Sequence, residues 1–172
     1  MKKTVNAFDY AGKICQSMRK GILLTTAMDG KVNTMTIGWG TIGVEWSKPV
    51  FVAYVRESRY TRQLLDATGE FTVNIPLEEA DPRIIAYCGT KSGAQVDKIR
   101  DMELHLEESE VVAVPGIREL PLTLECRVLF RNEQDEKRLS AEIRDRYYSA
   151  GNTEDFHIAY YAEIVNAYII IE

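Results

Sequence analysis

A chain of 172 residues, 45% hydrophobic and 27% charged, can bury about 70% of its unfolded surface in one domain, which excludes a disordered chain. Its net charge of -5 excludes a general nucleic-acid binder, which needs a basic surface, although one local pair of arginines can still hold a small anion. No apolar run is long enough to span a bilayer, so no membrane role is expected. The opening MKKTVNAFDYAGK has no apolar stretch behind its lysines, and a cytoplasmic protein is expected. Cys15, Cys88 and Cys126 are widely spaced, and His105 and His157 are scattered, so neither a disulfide framework nor a metal site is expected.

In chain order, residues Phe8 to Lys20 predict an amphipathic helix ended by Gly21. Apolar stretches on either side of Asp29-Gly30 predict a β-hairpin. Gly38, Gly40 and Gly43 then punctuate a continuing β segment, where bulges or close approach of a ligand are expected. PVFVAYVR, from Pro49, reads as a buried strand. Ser58 is positioned to cap a helix through Ala67, with Gly69 just beyond it. Glu70 to Pro76 predicts a strand, and Asp81-Pro82 opens a helix. Gly89 to Asp101 reads as a loop, Leu120 to Arg131 as a strand, and Lys137 to Tyr148 as a helix. HIAYYAEIVNAYIII closes the chain as a long strand. Six or seven strands and three or four helices predict a mainly β, α+β domain built on an antiparallel barrel rather than a doubly wound sheet.

Three segments carry possible chemistry. In Asn33 to Thr41, strand alternation puts Asn33, Met35, Ile37 and Trp39 on one face and Thr34 and Thr36 on the other. A flat apolar slot beside glycines suits a planar ring, and an ordinary barrel strand with a core tryptophan explains the same residues. In Arg56 to Thr61, two arginines, the Ser58 and Thr61 hydroxyls and a helix start together suit a phosphate monoester. A capped helix with solvated arginines is the plainer alternative. In Cys88 to Lys98, glycines, hydroxyls and lysines can close over a ligand, or form a solvated loop. GTKSG misses the triphosphate-binding pattern. His157 reads most simply as a hydrogen-bonded structural residue, and Tyr147, Tyr148, Tyr160, Tyr161 and Tyr168 as core or interface packing; no hydrolytic triad is visible.

The order of these segments decides between the readings. NTMTIGWG, PVFVAYVRESRYT, FTVNIP, YCGTKSG with Asp97-Lys98, and finally HIAYYAEIVNAY resemble the flavin reductase-like, FMN-binding split-barrel family, and within it flavoredoxin and its relatives. The resemblance covers nearly the whole chain, residues 1–172, as one domain. It implies an FMN-binding split β-barrel with peripheral helices, a homodimer with non-covalent FMN at the subunit interface, and electron transfer or NAD(P)H-dependent flavin reduction, with a redox protein as the other class of partner. It places Asn33, Met35, Thr36 and Trp39 along the flavin ring and ribityl chain, and Arg56, Ser58, Arg59 and Thr61 around the phosphate. Ser92 and Lys98 come from the glycine-rich loop, and His157 from the segment before the last strand. The chain departs from the family at Ala94-Gln95, where relatives carry Arg-Asp, and at Ala162, where relatives carry glycine. A non-catalytic FMN-binding protein and a structural dimer without cofactor are the alternatives.

Overall fold

The computed structural model describes residues 1–149 and 155–171. Strands run at Lys2–Thr4 (β1), Ile22–Met28 (β2), Lys31–Ile37 (β3), Gly40–Glu45 (β4), Lys48–Arg56 (β5), Glu70–Ile75 (β6), Leu106–Glu107 (β7), Gly116–Ile117 (β8), Leu122–Glu133 (β9) and His157–Ile170 (β10). Helices run at Ala11–Met18 (α1), Tyr60–Thr68 (α2), Pro82–Thr90 (α3), Lys98–Asp101 (α4) and Ala141–Tyr147 (α5).

The main sheet has the order β3-β2-β6-β9-β10-β5-β4, with β1 added on β10, and every pairing is antiparallel. Flat, this order would hold β3 and β4 about 29 Å apart at the usual strand spacing. Yet only Gly38 and Trp39 join the two strands, a link that reaches about 10 Å at most. The sheet must therefore roll until its first and last strands nearly meet. Its order still ends at β3 and β4, so the barrel is split rather than closed.

Inside the roll, Phe51, Ala53 and Val55 of β5 meet Ile158, Tyr160 and Ala162 of β10, Leu122 and Leu124 of β9, and Ile14 and Met18 of α1. A second core, Leu23, Ile84, Cys88, Leu104, Ile117 and Leu120, fills the space between the barrel wall and α3. Strand β5 reads as apolar on both faces because its outer residues Val50 and Val52 pack against Ala159 of β10.

The structure refines several expectations. The first helix begins as a 3-10 turn at Ala7–Tyr10 and becomes α-helical only at Ala11. Helix α3 extends through Gly89 and Thr90, and Lys98–Asp101 is helical, so the expected loop shrinks to 91–97. Helix α5 starts at Ala141, capped by the Ser140 hydroxyl, because Glu136–Arg138 forms its own 3-10 turn. No helix among the described residues is long and apolar enough to cross a membrane.

Candidate functional site

The site grows from the ends of β3 and β5. Strand β3 stops at Ile37, so Trp39 lies in the link and not on the strand face with Met35 and Ile37, as alternation predicted. Its indole is 41% exposed and packs edge-on against Tyr147, with centroids 5.1 Å apart, and at 40° to the His157 ring, 4.8 Å away. The neighbouring Gly40 is required: a Cβ there would lie 2.8 Å from Phe51 Cζ.

After β5, the backbone turns tightly, with Arg59 N–H donating to Arg56 O at 3.0 Å, and enters α2. Ser58 does not cap this helix. Its N–H and hydroxyl both donate to the Asp155 carboxylate, at 2.9 and 2.6 Å. Arg59 holds the N-cap position without a side-chain cap bond, which leaves the positive dipole end of α2 uncapped.

Two cavities meet at Arg59. The first, of about 230 Å3, is lined by Met35, Thr36, Trp39, Tyr54, Gly89 and His157, with Arg56 and Arg59 at its edge. The second, of about 210 Å3, is lined by Ser58, Arg59, Thr61, Ser92 and Lys98, with Gly93 at its wall. Each is smaller than the usual ligand pocket of about 300–1,000 Å3, and Arg59 lines both. Asn33 sits beside them with its amide N–H donating to Thr61 Oγ1 at 3.0 Å. Its buried carbonyl oxygen, Oδ1, has no protein partner. A Cβ at Gly93 would lie 1.9 Å from that oxygen, so only glycine fits against it.

All eleven residues singled out in the sequence thus converge on one region, with different degrees of freedom. Ser58 and Arg56 are engaged: Arg56 donates to Asp155 O at 2.7 Å and Tyr147 O at 3.2 Å, binding β5 to the approach of β10. Arg59 donates one N–H to Gly89 O at 2.9 Å. Lys98 is not a solvated loop residue. It is 4% exposed, and its Nζ donates to Thr34 O and Cys88 O at 2.8 and 3.0 Å, leaving a third N–H. Both cations therefore sit on carbonyls of the last turn of α3, where its dipole favours positive charge.

Electrostatics follow from burial. Desolvation pulls Lys98 down to about 8, with the nearby Arg59 adding to the effect. It also lowers Arg59, opposed by Asp155 and reinforced by Arg56. Burial pushes the Cys88 thiol up to about 11, so it stays protonated and unreactive at neutral pH. His157 is held at about 4 by burial and by Arg56, so its ring is neutral. Its Nδ1 lies 2.7 Å from Tyr148 Oη.

Sequence reasoning missed Tyr54; Gly89 and Tyr148 stood in its candidate segments with no individual role given to either. Tyr54 had a signal: it lies two residues before Arg56 and shares its strand face. Gly89, read from the sequence as the start of a loop, lies inside α3; its missing side chain lets α3 approach Thr36, whose Cβ is 3.3 Å from the position of a Gly89 Cβ. Tyr148 reaches His157 through tertiary packing, which local pattern does not encode.

Residues 16–170 match the family model described as the flavin reductase like domain. An uncharacterized protein of Archaeoglobus fulgidus is 37% identical over 99 residues, which cover 58% of this chain and 55% of that protein. One from Pyrococcus abyssi is 28% identical over 106 residues, 62% and 59% of the two chains. The chain spans little more than half the length of these relatives. Among solved structures, flavoredoxin from Methanosarcina acetivorans is 28% identical, covering 87% of this chain and 68% of that one, with a TM-score of 0.66. Flavoredoxin of Desulfovibrio vulgaris (Miyazaki F) is 22% identical over 87% and 69% of the chains, with a TM-score of 0.68, and speaks to the fold alone.

Proposed function

The chain belongs to the flavin reductase-like domain family, and on that premise we propose that it is a single-domain flavoprotein holding FMN, working as an oxidoreductase or electron carrier of the flavoredoxin type. One observation carries the reading: an apolar cavity beside an indole shares Arg59 with a second cavity lined by the buried Lys98, by Lys91 and by the hydroxyls of Ser58, Thr61, Thr90 and Ser92. A planar ring with a phosphate-terminated tail has that distribution of chemistry.

The residues present fit the group. Arg59 and the third N–H of Lys98, with the hydroxyls of Thr61 and Ser92, would hold the phosphate, aided by the uncapped start of α2. The unpartnered Asn33 Oδ1 accepts a hydrogen bond, and a ribityl hydroxyl would supply the missing donor. Met35, Thr36, Gly89 and Trp39 would flank the rings. Bound flavin supplies the exchange of an electron pair or hydride with an external partner. The chain's own contribution is to bind, orient and exclude water. His157, neutral with one nitrogen facing Tyr148, adds a fixed polar edge without taking up a proton.

The homodimer belongs to the same proposal. On the outer face of β5, β9 and β10, Phe130 and Tyr161 lie 5.4 Å apart, and Trp46 stands 6.3 Å from each. Trp46 and Phe130 are about half exposed, and such a cluster on a soluble surface marks an interaction site. Tyr54 connects this face to the first cavity, so a second copy docked here would complete its rim. NAD(P)H or a redox protein would exchange electrons at that rim.

A visible absorption spectrum tests the cofactor. Purified protein, or protein incubated with FMN and desalted, should retain a flavin band at one per chain. A colourless product would contradict the reading. NADH and NADPH oxidation by the loaded protein, with free flavin and dyes as acceptors, then separates enzyme from non-catalytic binder.

A further inference from the structure

Beyond the indole of Trp39 lies a third cavity, of about 600 Å3, that the cofactor reading leaves unused. Met18 and Arg19 at the end of α1, Trp39, Tyr54, and Ile143 and Tyr147 of α5 form most of its wall. We infer that this slot binds a planar aromatic molecule carrying an anionic group, such as an aromatic carboxylate, against the indole of Trp39.

Shape, exposure and charge each point to that class. Trp39 and Tyr147 stand perpendicular, 5.1 Å apart, so a flat guest stacked on one ring meets the edge of the other, both favourable aromatic geometries. Trp39, Ile143 and Tyr147 are each about two-fifths exposed and sit together, whereas apolar side chains exposed at random would be scattered. Arg19 is the one charged residue of the wall. It makes no ion pair among the described residues, so in a chain of net charge -5 it offers a local seat for an anion. Helix α5 buries none of its own residues and is fastened near its end by the Arg56 bond to Tyr147 O and the Trp39 contact.

Gly38, Trp39 and Tyr54 line this cavity and the first one alike. As the seat of the molecule that exchanges electrons with a flavin, the slot rests on the reading above; as a binding site for planar anions it does not.

The chain has two tryptophans, Trp39 and Trp46, so two indole N–H resonances report the test. Titration with 2-naphthoate should shift the Trp39 signal saturably and leave Trp46 unmoved. Arg19→Gln should weaken naphthoate about fivefold, the upper range for one exposed charge, and leave neutral 2-naphthylmethanol unchanged. Tyr147→Leu should weaken both about tenfold. An unmoved Trp39 signal, equal shifts at both indoles, or an Arg19→Gln protein that discriminates as before would each overturn the proposal. Run with and without FMN, the titration separates the two readings: naphthoate binding in a protein that refuses FMN sustains the slot and contradicts the flavin.

Discussion

Lys98 shows how one side chain can be structural and functional together. Burial alone would make a lysine costly, and its two bonds to Thr34 O and Cys88 O offset that cost while leaving one N–H for the anion cavity. Because burial holds it at about 8, the ligand-free site loses this charge as pH rises through that value. FMN affinity should therefore fall above pH 8, and the fall should flatten in Lys98→Met; fluorescence titrations across pH 7 to 9.5 check this. His157 acts on stability instead. Its folded value of about 4 lies below the ordinary 6.5, so below pH 6.5 the unfolded chain takes a proton that the folded ring refuses. The stability present above 6.5 is lost as pH falls toward 4. Urea melts at pH 7 and pH 5 should show a smaller loss in His157→Gln than in the wild type.

At the scale of elements, two hairpins make a controlled comparison. Met28 pairs with Lys31 across Asp29-Gly30, both with positive φ, as that dipeptide announces. Glu45 pairs with Lys48 across Trp46-Ser47, also both with positive φ, at 52° and 57°. Nothing in Trp-Ser announces a left-handed turn; the sequence reading carried the β3 segment on across Gly38, Gly40 and Gly43 and so missed β4 as a separate strand. Here strand pairing imposes the conformation against local preference. Ser47→Gly should relieve that conflict by about 0.5–1 kcal/mol and raise Tm by about 1–4 °C, measured by calorimetry. Caps divide in the same way. Asp81 caps α3 as its position before Pro82 predicts, whereas Ser58 is diverted to Asp155, a partner 97 residues away that no local pattern reveals. The binding corner was legible because arginines and hydroxyls cluster within six residues. Its cavity was not, because Tyr54 of β5 and Gly89 of α3 come together in its wall only through folding, and because the burial of Lys98, itself named from the sequence, is set by tertiary packing.

For the whole molecule, the roll of the sheet brings the β3–β4 link, the β5 end and the start of β10 to one side. The outer aromatic face of β5, β9 and β10 continues from there. If that face joins two copies, Phe130→Glu should convert the protein from twice to once the chain mass by light scattering, and weaken FMN binding as the rim is lost. Retention of the dimer in this variant would move the interface elsewhere.

The central claim is that Arg59 and its neighbours grip a phosphate while the indole side of the site holds a ring. Titrating wild type and Arg59→Ala with FMN and with riboflavin, which lacks the phosphate, separates these two contributions. Loss of Arg59 should cost FMN about 1.5–3 kcal/mol, the scale of a charged hydrogen bond, and leave riboflavin nearly unchanged. Equal losses for both ligands, or none for either, would contradict the account.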